Sequence, residues 1–278
     1  MKNKFSKILL ILMLIFLLSG CTNMSKLEEM PIFLYHSVKP ELEEGDNPSM
    51  VVTMENFEKD LKYLRDNGYT SIDLQTLIAA YENPRMKLPK KPFVITFDDG
   101  YLNNYEYAYP LLKEYTTKAS IFTIVWSVGR DKFILNEKPI TPHFTWEQGK
   151  EMLESGVIEL GSHTFDMHSP AGISYGYENP CGFGLEPMEG ESQEDYYERI
   201  YNDIESSKIL MEENLGEKVE TFAYPYGIYN DTVIQVLKDL GFKLAFITES
   251  SEKNKSIFEI KRISISNGIR VSDVLKKN

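Results

Sequence analysis

The chain has 278 residues, 42% of them hydrophobic and 26% charged, with 17 Gly and 13 Pro, which excludes collagen-like, low-complexity and wholly disordered chains. Setting aside the three lysines of residues 1–20, a stretch without acids, takes the formal net charge from −12 to −15, a negative field that opposes non-specific nucleic-acid binding. Two cysteines make neither a disulfide framework nor a thiolate cluster, so any metal must be held mainly by His, Asp or Glu.

The N-terminus reads as an address. Met1 to Lys7 is basic, and the apolar run Ile8 to Leu18 that follows is 11 residues long. A helix needs about 20 apolar residues to cross the core of a bilayer, so this run suits a signal peptide instead. Leu18-Ser19-Gly20-Cys21 resembles the lipobox of bacterial lipoproteins. That resemblance implies removal of residues 1–20, lipid attachment at Cys21, a tether over 21–29, and an extracytoplasmic protein held to the membrane by acyl chains. Cys181 is then the one other thiol and has no partner in the chain.

Beyond the tether, strand and helix signals alternate. Strands are expected at 31–35, 93–97, 119–125, 157–161, 219–223, 243–247 and 258–265, from their length and their β-branched or aromatic content. The first helix carries Phe57, Leu61 and Leu64 on one face, with Thr53 as N-cap and Gly68 as its stop. Further helices are expected at 103–115, 145–154, 194–214 and 229–240. The alternation argues for a single α/β domain over 30–278, with a parallel sheet or barrel. Neither a Gly-x-Gly-x-x-Gly turn after the first strand nor a phosphate-binding Gly-Lys-Ser/Thr is present, so nucleotide-binding folds lack support. Residues 169–192, rich in Gly and Pro, read as a long loop over one end.

Polar residues gather where strands end. His36 follows the first strand, Asp98-Asp99-Gly100 the second, His163 and His168 the fourth, and Tyr224-Pro225-Tyr226-Gly227 the fifth. In a parallel barrel these exits share one rim, where such folds carry their chemistry. A five-residue spacing turns about 140° on a helix and reverses face on a strand, so His163 and His168 converge on one ion only from an irregular turn. Two imidazoles and one carboxylate suit a divalent metal with open positions, a second carboxylate suits a base, and a further His suits an acid. These residue types leave a non-haem iron oxygenase open as well, and they leave the substrate open.

At these residues the sequence closely resembles the polysaccharide deacetylases of the NodB-homology type, carbohydrate esterase family four. Thr96-Phe-Asp-Asp-Gly100 is similar to that family's first motif, Gly161-Ser-His-Thr-Phe-Asp-Met-His168 to its second and Phe222-Ala-Tyr-Pro-Tyr-Gly227 to its third. Tyr35-His-Ser-Val38 resembles a feature of the branch that includes deacetylases of poly-β-1,6-N-acetylglucosamine. The resemblance implies a distorted (β/α) barrel of fewer than eight parallel strands, with Asp99, His163 and His168 as metal ligands and Asp98 as general base. It implies zinc first, with cobalt, nickel, manganese or iron as alternatives.

Three departures shape the expectations. The common second motif spaces its His four apart, whereas here the spacing is five, as in the exopolysaccharide branch. Ala223 or Tyr224 stands where the third motif has Arg, so Arg262 on a late strand is expected to orient Asp98. No His follows residue 168, so His36 is the expected acid and His143 the weaker candidate. The backbone N–H of Tyr226 is expected at the oxyanion, and Tyr226, Trp126 and Trp146 as contacts to sugar. The reading is a monomeric deacetylase of exported N-acetylglucosamine polysaccharide first and of peptidoglycan second. A glycan-binding lipoprotein without turnover, or a deacetylase of another acylated glycan, are the alternatives.

Overall fold

The computed structural model describes residues 27, 29–83, 85–134, 136–168, 184–248 and 256–276. Its main sheet is parallel throughout, in the order β10 (Ile263–Ser264), β1 (Ile32–Tyr35), β5 (Pro92–Phe97), β6 (Ala119–Thr123), β7 (Ile158–Ser162), β8 (Thr221–Ala223), β9 (Leu244–Phe246). β4 (Thr70–Ser71) pairs with the start of β5, below the stretch where β6 takes over. The two ends of the sheet are drawn together by one short segment. Ile260 bridges Phe246 of β9, and three residues later Ile263 pairs with Phe33 of β1. The result is the expected curled α/β barrel with fewer than eight strands on its path.

Period-two alternation sorts the side chains of β5. Phe93, Ile95 and Phe97 pack outward with the helix-facing core, while Val94 joins Ile32, Phe122, Leu244 and Phe246 inside. The outer core is completed by α1 (Met54–Asp66), α3 (Tyr109–Glu114), α4 (Trp146–Glu154), α5 (Gln193–Leu215) and α6 (Asp231–Asp239). In α1, Thr53 caps the Asn56 N–H, and Phe57, Leu61 and Leu64 are buried, as their spacing requires. Gly68, just past the cap residue Asn67, takes φ +72°.

Several elements were not expected from the sequence. α2 (Leu74–Glu82) packs its Leu74, Leu77 and Ile78 under the barrel interior, closing the end opposite the strand exits. Its first two N–H groups donate to the half-buried Glu159 carboxylate of β7, which suits the positive end of a helix. β2 (Ser37–Lys39) and β3 (Val51–Thr53) form a separate parallel pair. The expected helix over 103–115 begins as a π-helical turn, Asn104–Ala108, before α3. α7 (Val271–Leu275) follows the last strand. The strand expected over 258–265 is reduced to Ile263–Ser264 and the Ile260 bridge, because the segment changes partner midway. Residues 1–26, with Cys21, and Cys181 with 169–183 of the expected loop lie outside the described residues.

Candidate active site

The alternation that sends Val94 inward continues past the strand. Thr96 lies in phase with it and donates its hydroxyl to the Phe33 carbonyl, and Asp98 is next in phase. Asp98 meets Arg262 inside the barrel, where Nη1 and Nη2 donate to Oδ1 and Oδ2 at 2.6 and 2.7 Å. The Arg262 side chain is fully buried between the Phe122 and Phe246 rings, and its Nε donates to the Ile247 carbonyl. Burial pushes the Asp98 carboxyl up. The Arg262 charge outweighs it and holds Asp98 below the ordinary carboxylate range. A buried carboxylate kept ionised is able to accept a proton.

Asp99 leaves the strand with φ +74°, and Gly100 follows at +84°. Glycine is required there: a Cβ would stand 3.0 Å from Thr123 Cγ2 and 3.4 Å from the Phe144 ring. This turn aims the Asp99 carboxyl away from Arg262 and toward the two histidines. Its Oδ1 lies 3.0 Å from His168 Nε2 and 3.6 Å from His163 Nε2, and the imidazole centroids are 5.0 Å apart. Both Asp99 oxygens are buried, and neither has a hydrogen-bond partner. One donor atom from each of the three residues falls within 4.8 Å of the others.

The electrostatics fit a cation. Nδ1 of His163 lies 2.7 Å from the Ala223 carbonyl, which can only accept, so Nδ1 carries the proton and Nε2 presents its lone pair to the centre. Burial holds His163 down to about 4, hence neutral at physiological pH. His168 is pushed down by burial and more than restored by the Asp99 charge, so it sits above the ordinary imidazole value. Asp99 is raised by burial and pulled far lower by the His168 charge. Two imidazole nitrogens and an orphaned carboxylate on one side of a partly open centre form a ligand set suited to a divalent metal.

The other expected residues line the same rim, with one exception. His36 follows β1, its carbonyl accepting from Asn104 Nδ2. Tyr226 takes φ +55° in the turn after β8, is 55% exposed, and lays its ring 4.9 Å from His168. Trp126 follows β6 and stacks on Phe133 at 5.9 Å. Both line a cavity of about 150 Å³ that also borders His168, Tyr101 and His143. His143 is buried there and held down to about 4 by burial, so it is a wall of this cavity rather than a charged group. Trp146 opens α4, half-buried against the outer core.

Sequence reasoning missed Tyr101 and Asp203. Tyr101 pairs with His143 through an isolated bridge and a ring contact at 5.2 Å. Asp203 of α5 accepts the Phe165 and Asp166 N–H groups, between the two histidines. An acid four residues after Arg199, beside the buried face of a long helix, was the available signal.

Comparison with known proteins places the chain. The family described as "Polysaccharide deacetylase" matches residues 85–245. The Bacillus subtilis (strain 168) protein YxkH is 30% identical over 87% of this chain and 73% of its own length. The poly-β-1,6-N-acetyl-D-glucosamine N-deacetylase of Escherichia coli (strain K12) is 30% identical over 94% of this chain, which spans 43% of that enzyme. A solved de-N-acetylase from Aggregatibacter actinomycetemcomitans superposes with a TM-score of 0.75 at 26% identity, covering 89% of this chain and 98% of that one. A curled parallel barrel with an acid pair and two histidines on its rim, together with a match over more than half the sequence, identifies the chain as a member of the polysaccharide deacetylase family.

Proposed function

We propose that this protein removes N-acetyl groups from an exported N-acetylglucosamine polysaccharide, poly-β-1,6-N-acetylglucosamine first and peptidoglycan second, releasing acetate and a free amino sugar. The observation that carries the reading is the buried Asp99 carboxylate, without a hydrogen-bond partner, facing two imidazoles one residue from an Arg-paired Asp98. The E. coli relative supports the choice of glycan. Asp99, His163 and His168 hold a divalent cation, zinc first. When bound, it polarises the acetyl carbonyl and acidifies water.

The chain's own residues do the rest. Asp98, held ionised and fixed in orientation by the Arg262 fork, takes the proton of the attacking water. The backbone N–H of Tyr226 donates to the developing oxyanion, a contribution of about 3 kcal/mol where such donors have been removed. His36 delivers a proton to the departing nitrogen as the C–N bond breaks. Tyr226 and Trp126 offer faces for sugar stacking, and Trp146, if it touches glycan, does so away from the reacting centre. The catalytic domain is 30–278, tethered through 21–29 to a lipid on Cys21 after removal of 1–20, and it works outside the cytoplasmic membrane as a monomer. Among the described residues no helix is long and apolar enough to span a bilayer.

The test is acetate release by the purified chain in detergent from β-1,6- and β-1,4-linked N-acetylglucosamine oligomers and from peptidoglycan, with and without chelator. Chelator-sensitive release that needs Asp98 is expected, fastest on the β-1,6 oligomers. Saturable glycan binding without any release would support the binding-protein alternative. Radiolabelled fatty acid carried by the wild type and lost in Cys21→Ser checks the anchor.

A further inference from the structure

The segment carrying both histidines has no strand or helix of its own. Thr164 takes φ +72°, a left-handed conformation that costs a non-glycine residue about 1–3 kcal/mol and persists only where its surroundings enforce it. Side chains satisfy every backbone N–H from residue 164 to 167. Thr164 N–H donates to Ser162 Oγ at 3.2 Å, Phe165 to Asp203 Oδ1 at 2.9 Å, Asp166 to Asp203 Oδ2 at 2.8 Å, and Met167 to Thr164 Oγ1 at 3.1 Å. On the other side, the Thr164 and Phe165 carbonyls accept from the Val125 and Trp126 N–H groups.

Three residues of α5 reach this segment, and they recur every four positions, on one helical face: Arg199, Asp203 and Ser207. Ser207 donates its single proton to the Ile204 carbonyl, so across the 2.6 Å contact the Ser162 hydroxyl must be the donor. That leaves Ser162 Oγ free to accept from Thr164. Arg199 holds the flank, donating to the Gly184 and Glu186 carbonyls. α5 does not need these bonds to dock, since Tyr196, Ile200, Ile204, Met211 and Leu215 already bury its apolar seam.

We propose that Asp203, supported by Ser207, is a positioning residue for the metal-ligand pair. By gripping two successive N–H groups between His163 and His168, it fixes how far apart the two imidazoles stand and so sets cation affinity. The inference rests on the metal-site reading given above. Asp203→Asn turns one acceptor oxygen into an amide NH2 that faces an N–H donor, which releases half of the grip without removing volume.

The experiment uses the metal-free full chain titrated with Zn2+ against a chromophoric competing chelator, for wild type, Asp203→Asn, Ser207→Ala and the control Ser206→Ala, whose hydroxyl bonds only its own helix. Supports of metal ligands characteristically change affinity 10–100-fold. The expected result is a loss in that range for Asp203→Asn, a smaller loss for Ser207→Ala, and wild-type affinity for Ser206→Ala. The Co2+-loaded Asp203→Asn protein should also show a changed ligand-field spectrum, which a general loss of stability would not produce. Zinc affinity within twofold of wild type in Asp203→Asn overturns the proposal, as does a lower melting temperature with unchanged affinity and spectrum. Should Asp203→Asn not fold, Ser207→Ala decides by the same two readouts. Failure of the wild type to bind zinc or cobalt overturns the metal reading itself, and the wild-type arm distinguishes that outcome.

Discussion

Arg262→Met would leave the Asp98 carboxylate, 3% exposed, without the guanidinium that meets both its oxygens. Burial is the largest influence on this group and favours its neutral form, and the Arg262 charge leads the influences that oppose it. Hydrogen bonds to a charged group are worth about 1.5–3 kcal/mol, and about 1.4 kcal/mol moves a pKa by one unit. Losing both bonds therefore lifts Asp98 by at least about two units from its depressed position. The assay is the pH profile of acetate release. The acid limb should move up by about two units or more, with partial recovery toward alkaline pH, and Arg262→Lys, which keeps the charge but not the fork, should fall between. Breaking a buried pair also costs about 3–5 kcal/mol of stability, so the profile belongs at a temperature where circular dichroism shows both variants folded. An acid limb at the wild-type position in folded Arg262→Met, with release within threefold of wild type, would refute the assignment of Asp98 as the base that Arg262 keeps ionised.

Three further outcomes follow from the geometry. His163→Ala should retain its far-UV spectrum while bound zinc after dialysis falls from ~1 per chain to near zero, as removal of one of only three ligands requires; full retention of zinc would exclude His163 as a ligand. His143 is held at about 4 when folded, against about 6.5 unfolded. The unfolded chain thus takes up a proton that the folded one refuses between those values, and stability falls as pH drops through that window. This group contributes about 2 kcal/mol of the loss between pH 7 and 5, so His143→Phe should flatten the pH dependence of the urea midpoint in the metal-free chain; an unchanged slope counts against the burial argument. Gly161→Ala would place a Cβ 2.5 Å from the Phe122 ring and 2.7 Å from Thr221 Oγ1. Overpacking of this kind costs about 1–3 kcal/mol, and an unchanged urea midpoint would show that β6 and β7 can separate there.

What the sequence disclosed and what it concealed divide along a physical line. Asp98, Asp99, His163 and His168 were legible because strand periodicity fixes which residues reach the rim, and few residue types can bind metal or accept a proton there. Arg262 was legible only as a missing charge in need of a source, and the structure places it against Asp98. The β2–β3 pair was not legible, since strands of three residues carry too little pattern to announce a partner. α2 escaped although Asp73 caps it, because nine residues buried beneath a barrel look much like a buried strand. Asp203 offered only a faint signal, an acid four residues after Arg199 on a long helix, because the groups it meets are backbone N–H groups, which carry no sequence signature.

The Asp98–Arg262 contact spans 164 residues, and β10, which delivers Arg262, docks on β1, the first strand of the barrel. Asp99, His163 and His168 all precede residue 169. Synthesis from N- to C-terminus therefore yields the three proposed metal ligands well before the partner of Asp98 exists. On the proposed assignment, a molecule whose last strand is undocked, or has been clipped away by a protease, keeps its cation ligands while Asp98 lacks its guanidinium partner. Metal loading and turnover are then separable milestones in the life of the molecule, and the second is reserved for chains whose first and last strands have met.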